Sequence, residues 1–332
     1  MIGPNLERLW NEMANHAQVR HSERTYAMGC ATVQVTVSTL GLARWLSPAI
    51  EHRETTATAP DFSIAAFECA STSFSNEARV ELQALIQVGQ AADSRFRAAI
   101  GAGGVSLQIF DLEESSGIYW VERADLVPAW ERAAPYRCLA AWGLEAHGLV
   151  LAHAAALAVG DQAVLVTGPS GRGKSTIALG WVSSGGGYLA DDFVAVSDQA
   201  EKAYGLFRSA KISPAELQTR FSRLNHTCWG GEGEKAILLF DESVCRLPSN
   251  AQLRAVVALA AGRASSPRLV PCTAKTALLA LAPSSVLQVP GVRQAAFSRL
   301  GSLVRRVPTC EMTLSTEREA NVAMLGRFLE QN

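Results

Sequence analysis

The 332-residue sequence predicts an α/β protein in two parts: a smaller α+β domain over residues 1–145 and a phosphate-loop α/β domain over residues 146–332. Three observations point there. Residues 168–176 read Gly168-Pro169-Ser170-Gly171-Arg172-Gly173-Lys174-Ser175-Thr176 and meet the pattern G-x-x-x-x-G-K-[ST] at every fixed position. An apolar, β-branched run at 163–167 precedes the loop and reads as a buried strand, and residues 176–182 read as the opening of a helix. A second apolar approach, 188–190, ends in Asp191-Asp192, 17 residues beyond Lys174. One helix, a turn and a strand would return the chain to the side of the loop in that span.

Composition sets the outer bounds. Hydrophobic residues make up 48% of the chain and charged residues 18%, which excludes a disordered chain and provides for a sizeable core. The formal net charge of -1 argues against a nucleic-acid partner or a membrane surface held by bulk charge. Seven cysteines (Cys30, Cys69, Cys138, Cys228, Cys245, Cys272, Cys310) lie singly, with no C-x-x-C. An odd, scattered set suggests reduced buried thiols, not a disulfide framework or a zinc site. Residues 1–20 carry both signs of charge without a signal-peptide core, and no uncharged apolar stretch reaches membrane-spanning length. A cytoplasmic protein is expected.

Element by element, residues 1–20 read as a polar helix, and 27–39, with Val33, Val35 and Val37 alternating, as a strand. Residues 40–50 read as a short helix ending near Ser47-Pro48. Strands are expected at 62–68 and 72–74, and a helix over 78–100 that Gly101-Ala102-Gly103-Gly104 stops. A strand pair follows at 105–111 and 117–121, then a helix over 126–144. In the second part, 149–159 and 163–167 would be paired strands joined by Gly160-Asp161-Gln162. After the loop helix, Gly185-Gly186-Gly187 turns the chain into a strand over 188–197 that carries the acid pair. A strand and a helix fill 203–222, a Gly-rich polar loop 220–235, and strands 236–240 and 255–260. A helix at 290–306 begins on Pro290, and 309–314 is a strand. The last helix is announced by a Thr316-x-x-Glu319 capping box and shows the apolar face Val322, Leu325, Phe328, Leu329.

The loop's chemistry follows from its residues. Glycines allow a tight turn whose amides point at an anion, and the following helix N-terminus favours negative charge. Lys174 would reach the β- and γ-phosphates, and the Ser175 hydroxyl would hold Mg²⁺. The whole segment Gly168 to Thr176 is the expected binding site for a nucleoside triphosphate. Carboxylates at 191 and 192 could bind the cation and accept a proton, or be a solvated strand end. His153, in an apolar strand, needs a partner: a backbone carbonyl, or Asp191 or phosphate. Arg172, Arg208 and Lys211 could offset transition-state charge or be surface residues. Trp229 could cover a base or pack locally, His226 has no metal-spaced partner, and 230–233 could form a lid.

Taken together, the strand with His153, the run Gly168 to Ser175 and Leu189-Ala190-Asp191-Asp192 resemble the catalytic domain of HPr kinase/phosphorylase. The likeness covers residues 148–215. It implies a P-loop fold of the HPr kinase/PEP carboxykinase type with a mixed sheet, ATP as donor and Mg²⁺ as cofactor. It implies Asp191 as base for an acceptor serine, with Lys174 and His153 also catalytic, and Asp192 with Ser175 on the metal. The family's enzymes assemble, so a homo-oligomer is in keeping with the likeness. The family usually continues Lys-Ser-Glu where this chain has Lys174-Ser175-Thr176, and its phosphorolysis signature and usual N-terminal domain have no clear equivalent here. The chain looks more like divergent relatives that accompany ribosomal-peptide pathways, lasso peptides included, where a precursor-peptide serine is the acceptor. A serine kinase acting on a peptide or small protein is the leading expectation. A small-molecule hydroxyl kinase and a nucleotide-binding switch or scaffold are the alternatives. N-K-x-D and L-S-G-G-Q elements are missing, which weakens GTPase and transporter readings.

Overall fold

The computed structural model describes residues 3–199, 201–222, 224, 227–229 and 235–331, with main chain alone at 102 and 227–229. The chain is mixed α/β and divides into two compact units. One comprises Met1–His147 with Val289–Val292, the other Gly148–Gln288 with Arg293–Asn332.

The first unit is built on one mixed sheet. Its strands are β1 (Ser22–Met28), β2 (Ala31–Val37), β3 (Phe62–Glu68), β4 (Gln90–Ala92), β5 (Phe96–Ile100), β6 (Ser106–Asp111) and β7 (Ser116–Val121), in the order β1-β2-β3-β7-β6-β5-β4. β2, β3 and β7 run parallel, and the other pairs are antiparallel. Its helices are α1 (Leu6–His16), α2 (Leu40–Leu46), α3 (Asn76–Val88), α4 (Ala129–Ala133) and α5 (Arg137–Glu145). Asn5 caps α1 by accepting from the Arg8 amide, and Ser75 caps α3 through the Ala78 amide. Leu9 and Met13 of α1 and Leu82 and Leu85 of α3 meet Phe67, Ile109 and Trp120 of the sheet in one core.

Several expectations change here. The expected strand at 72–74 is a 3-10 turn, Ser71–Ser73. The helix expected over 78–100 stops at Gly89, whose φ of 75° ends α3 in the left-handed region. Asp93 then accepts from the Arg95 and Phe96 amides and turns β4 into β5. The helix expected over 126–144 is two, parted around Pro135. The strand expected at 27–39 is β2, and β1 ahead of it was not foreseen.

The second unit carries the glycine loop. Its strands are β8 (Leu149–His153), β9 (Ala155–Val159), β10 (Gln162–Thr167), β11 (Gly187–Ala190), β12 (Phe193–Ser197), β13 (Lys202–Gly205), β14 (Ser209–Ile212), β15 (Thr227–Trp229), β16 (Ala236–Leu239), β17 (Asn250–Ala264), β18 (Arg268–Pro271) and β19 (Thr309–Ser315). The helices are α6 (Lys174–Ser183), α7 (Pro214–Arg220), α8 (Ala274–Val286), α9 (Arg293–Arg306) and α10 (Arg318–Gln331). The main sheet runs β11-β9-β10-β17-β13-β12-β8, and β14-β16-β15 form a small separate sheet.

β17 is the organising strand. On one side it pairs in parallel with β10. On the other, residues 250–252 pair with β13, while 256–259 and 263–264 pair in parallel with β19. β19 in turn carries β18. α6 and α10 cover this sheet with Ile177, Trp181, Leu325 and Leu329 against Val164, Val257 and Met312. Truncating the fully buried Leu325 to Ala should cost about 2–5 kcal/mol. On another side Leu179 and Val182 of α6 meet Tyr188, Ile212, Leu238 and Phe240, which seats the small sheet.

The run 149–159 is two strands, not one. Ala154 breaks it, so that β8 pairs with β12 while β9 joins β10 and β11. The run 188–197 is broken likewise, with Asp191 and Asp192 at the break between β11 and β12. α8 and β18 were not foreseen. α9 begins at Arg293, past Pro290. α10 begins at Arg318, and the turn before it is tied by Ser315 and Asn321: Asn321 Oδ1 accepts from the Ser315 amide at 2.8 Å. The apolar face Val322, Leu325 and Leu329 of α10 is buried as its periodicity suggests.

Candidate functional site

β10 ends on Thr167, a buried residue whose hydroxyl donates to the Ala280 carbonyl of α8 at 3.2 Å. The chain then passes into the glycine loop and enters α6 at Lys174. Gly173 sits at φ 106°, and a Cβ there would lie 3.0 Å from Leu314 Cδ1. Gly168 sits at φ 149°, and a Cβ there would lie 3.3 Å from Leu259 Cβ. Both conformation and space therefore call for glycine. Pro169, Ser170, Gly171 and Arg172 form an exposed crest, with Ser175 and Thr176 half-buried behind it.

Lys174 is buried and folds back over the loop. Its ammonium donates to the Gly168 carbonyl at 2.7 Å and the Pro169 carbonyl at 3.4 Å. Burial lowers its pKa, against the pull of Asp192 and Asp191. The amides at the start of α6 and this ammonium give the loop the positive character that attracts an anion.

The acid pair lies beside it, and the two members differ sharply. Asp191 is 2% exposed. Its Oδ2 accepts from the Lys211 amide at 3.2 Å, while its buried Oδ1 has no hydrogen-bond partner among the described residues. Burial, and then the charge of Asp192, push the Asp191 carboxyl up to about 6, although the Ser175 hydroxyl and Lys211 pull it back. Asp192 is the more accessible, with its side chain 24% exposed. Its Oδ1 lies 2.5 Å from His153 Nε2, and its Oδ2 lies 2.5 Å from Lys211 Nζ. Burial raises the Asp192 carboxyl, but the hydrogen bond from His153 and the charge of Lys211 outweigh it and hold the group well below the usual range.

His153 ends β8, directly opposite Phe193 of β12. Its amide donates to Ser285 Oγ at 2.9 Å, and that hydroxyl donates to the Leu281 carbonyl within α8. Its Nδ1 is buried without a partner among the described residues. The imidazole therefore bonds the second acid, Asp192, and not Asp191 as the sequence suggested.

The structure thus brings Lys174, Ser175, Asp191, Asp192, His153 and Lys211 together. Arg172 stays on the exposed crest, and Arg208 donates to the Phe240 carbonyl at 3.4 Å. His226 and the 230–233 segment lie outside the described residues, as does the Trp229 side chain. Sequence reading missed Ser285, because the helix that carries it was not foreseen. The place of Lys235 at the end of the 220–235 loop was foreseen, but not that its charge reaches Lys174.

No protein-family model matches the chain, and no curated protein matches it.

An oxygen-rich corner of this kind suits a hard cation. Asp191 offers a buried oxygen with a free lone pair beside the Ser175 hydroxyl, and Mg²⁺ takes one or two protein oxygens plus phosphate and water. Among the described residues no group of three or more His, Cys, Asp or Glu could hold a metal by itself. None of the described helices is long and apolar enough to cross a membrane.

Proposed function

We propose that this chain is an ATP- and Mg²⁺-dependent kinase that phosphorylates a serine hydroxyl of a peptide or small protein, on a P-loop fold of the HPr kinase type. The observation that carries the reading is the buried, half-unpartnered Asp191 beside Ser175, set against a separate His153–Asp192–Lys211 cluster within reach of the same glycine loop.

The loop amides and Lys174 bind and orient the phosphates. Positioning and charge neutralisation supply most of the catalysis in phosphoryl transfer. Mg²⁺, when bound, neutralises phosphate charge. Ser175 and Asp191 are the residues to hold it, since a cation satisfies the unpartnered Oδ1 and removes the cost of ionising a buried acid. Asp192 is the acid an acceptor can reach, and His153 fixes its orientation. Both Asp192 oxygens are already engaged by His153 and Lys211, so in this reading the seryl hydroxyl displaces one of these partners as its proton passes to Asp192. This proposal assigns the two acids the other way round from the family likeness, which implies Asp191 as base and Asp192 on the metal. Lys211 bridges the two acids, through its amide to Asp191 and its ammonium to Asp192.

A nucleotide-binding switch is the second reading, favoured by Thr176 standing where the family has a carboxylate. Incubation with γ-labelled ATP, Mg²⁺ and serine-containing candidate peptides, read by mass, separates the two. A kinase adds a phosphate that disappears in Asp192→Asn while ATP binding persists. Tight ATP binding with no transfer to any candidate would favour the switch.

A further inference from the structure

His153 meets Asp192 through Nε2, and a working imidazole is commonly aimed by a hydrogen bond at its other nitrogen. Here that nitrogen, Nδ1, is buried without a partner among the described residues. The Phe193 ring lies 5.5 Å away between centroids and packs on the imidazole without bonding it. The aim of the ring therefore depends on the main chain that carries it.

That main chain needs a tie of its own. β8 is the last strand of the main sheet, paired with β12, so one row of its amides faces no further strand. His153 closes β8, and its amide turns to α8 instead, donating to Ser285 Oγ at 2.9 Å. Ser285 is 2% exposed. Its own proton goes to the Leu281 carbonyl at 2.7 Å, one turn back in the helix. With the proton committed there, the hydroxyl presents a lone pair to the His153 amide.

α8 is in turn tied to the root of the glycine loop. Thr167, the last residue before Gly168, donates its hydroxyl proton to the Ala280 carbonyl at 3.2 Å. One helix thus holds both the strand end that leads into the loop and the strand end that carries the imidazole.

We propose that Ser285 is a positioning residue for phosphotransfer: it fixes the end of β8 so that His153 stays on Asp192 while the loop holds the phosphates. The inference rests on the kinase reading given above. Ser285 acts through His153, so its loss should change the rate and spare the phosphate site, whose tie to α8 runs through Thr167 and the Ala280 carbonyl.

The test uses the full chain in three variants. Ser285→Ala leaves the His153 amide unbonded. Ser285→Cys fills the same space with a sulfur that accepts poorly, and so serves where the alanine variant does not fold. Ser285→Thr keeps the hydroxyl. Ser285→Ala should lower kcat about 10- to 10²-fold, the cost of a displaced reacting group, while Mg·ATP affinity changes less than about twofold. Ser285→Cys should show the same pattern more mildly, and Ser285→Thr should recover most of the rate. The Nε2 proton of His153, read by proton–nitrogen NMR and assigned by its disappearance in His153→Ala, should exchange with water faster in the alanine and cysteine variants. An unchanged Nε2 proton in a folded alanine or cysteine variant would overturn the proposal. So would equal losses of rate and Mg·ATP affinity, which would make Ser285 a general support of the fold. An unaltered chain that binds Mg·ATP but phosphorylates no serine-containing peptide would remove the kinase reading and this role with it, whatever the NMR shows.

Discussion

His153 Nε2 and Asp192 Oδ1 stand 2.5 Å apart, and the contact depends on two neighbouring strands in register, His153 opposite Phe193. Lys211 takes the other oxygen at the same distance. Two cationic or donor partners hold Asp192 ionised, and they hold it still. A carboxylate of low pKa is a weak base, so in the proposed reaction the proton passes to Asp192 only as the seryl oxygen bonds to phosphorus and becomes acidic, with the fixed orientation aiding the transfer.

Asp192→Asn should therefore cut phosphotransfer about 10²–10⁴-fold with little change in ATP affinity. The pH dependence has a definite sign. The folded pKa of Asp192 lies below its ordinary 3.8, so its stabilising contribution is present above that value and is lost as pH falls below it. The variant should melt lower than the unaltered chain at pH 7, with the gap closing in acid. Equal turnover in the two proteins would remove Asp192 from the chemistry.

Asp191 behaves oppositely. Its carboxyl is raised to about 6, so the folded chain binds its proton more tightly than the unfolded chain does. Stability then falls as pH rises from about 4 through about 6. Asp191→Asn should raise the melting temperature at pH 7.5, by an amount equivalent to at most about 3 kcal/mol, and leave it unchanged near pH 4. The same variant should lose most of the stabilisation that Mg·ATP gives the unaltered chain. Differential scanning calorimetry across pH, with and without Mg·ATP, checks both parts. A variant that is less stable at every pH would contradict them.

Lys174→Ala should reduce affinity for Mg·ATP about 10- to 10²-fold, since a charge-assisted phosphate contact is worth about 1.5–3 kcal/mol, and the loop carbonyls at Gly168 and Pro169 lose their donor as well. Calorimetric titration measures it directly. Undiminished affinity would mean that the loop does not hold phosphate.

Gly173→Ala meets two obstacles, a backbone at φ 106° and the Leu314 methyl at 3.0 Å. The loop must rearrange, at about 1–3 kcal/mol for the strained backbone alone. ATP binding should fall in step, and Leu314→Ala in the same chain should restore only the part due to the clash. Gly171→Ala, at φ 77° but in open space, should be milder.

The glycine loop was readable because its fixed positions and both flanks are local properties of the chain. The face of α10 was readable because Val322, Leu325 and Leu329 repeat at helical spacing. The breaks at Ala154 and at Asp191-Asp192 were hidden, since each lies within a run of small and apolar residues that looks like one strand. Which acid His153 meets was hidden for a related reason. Successive side chains of an extended segment point to opposite faces, so a shift of one residue exchanges the two. α8 escaped notice because its Ala- and Leu-rich stretch, with Pro283 inside, has little contrast between faces. The helix stop at Gly89 was overlooked in favour of the louder glycine cluster at 101–104.

The double allegiance of β17 bears on how the chain is born. Residues 256–258 gain their second neighbour only when residues 309–315 arrive. A ribosome releasing the polypeptide from its amino end leaves that edge bare for some fifty codons, a window in which a partly made second unit can pair with the wrong strand and a holding chaperone would find its hold.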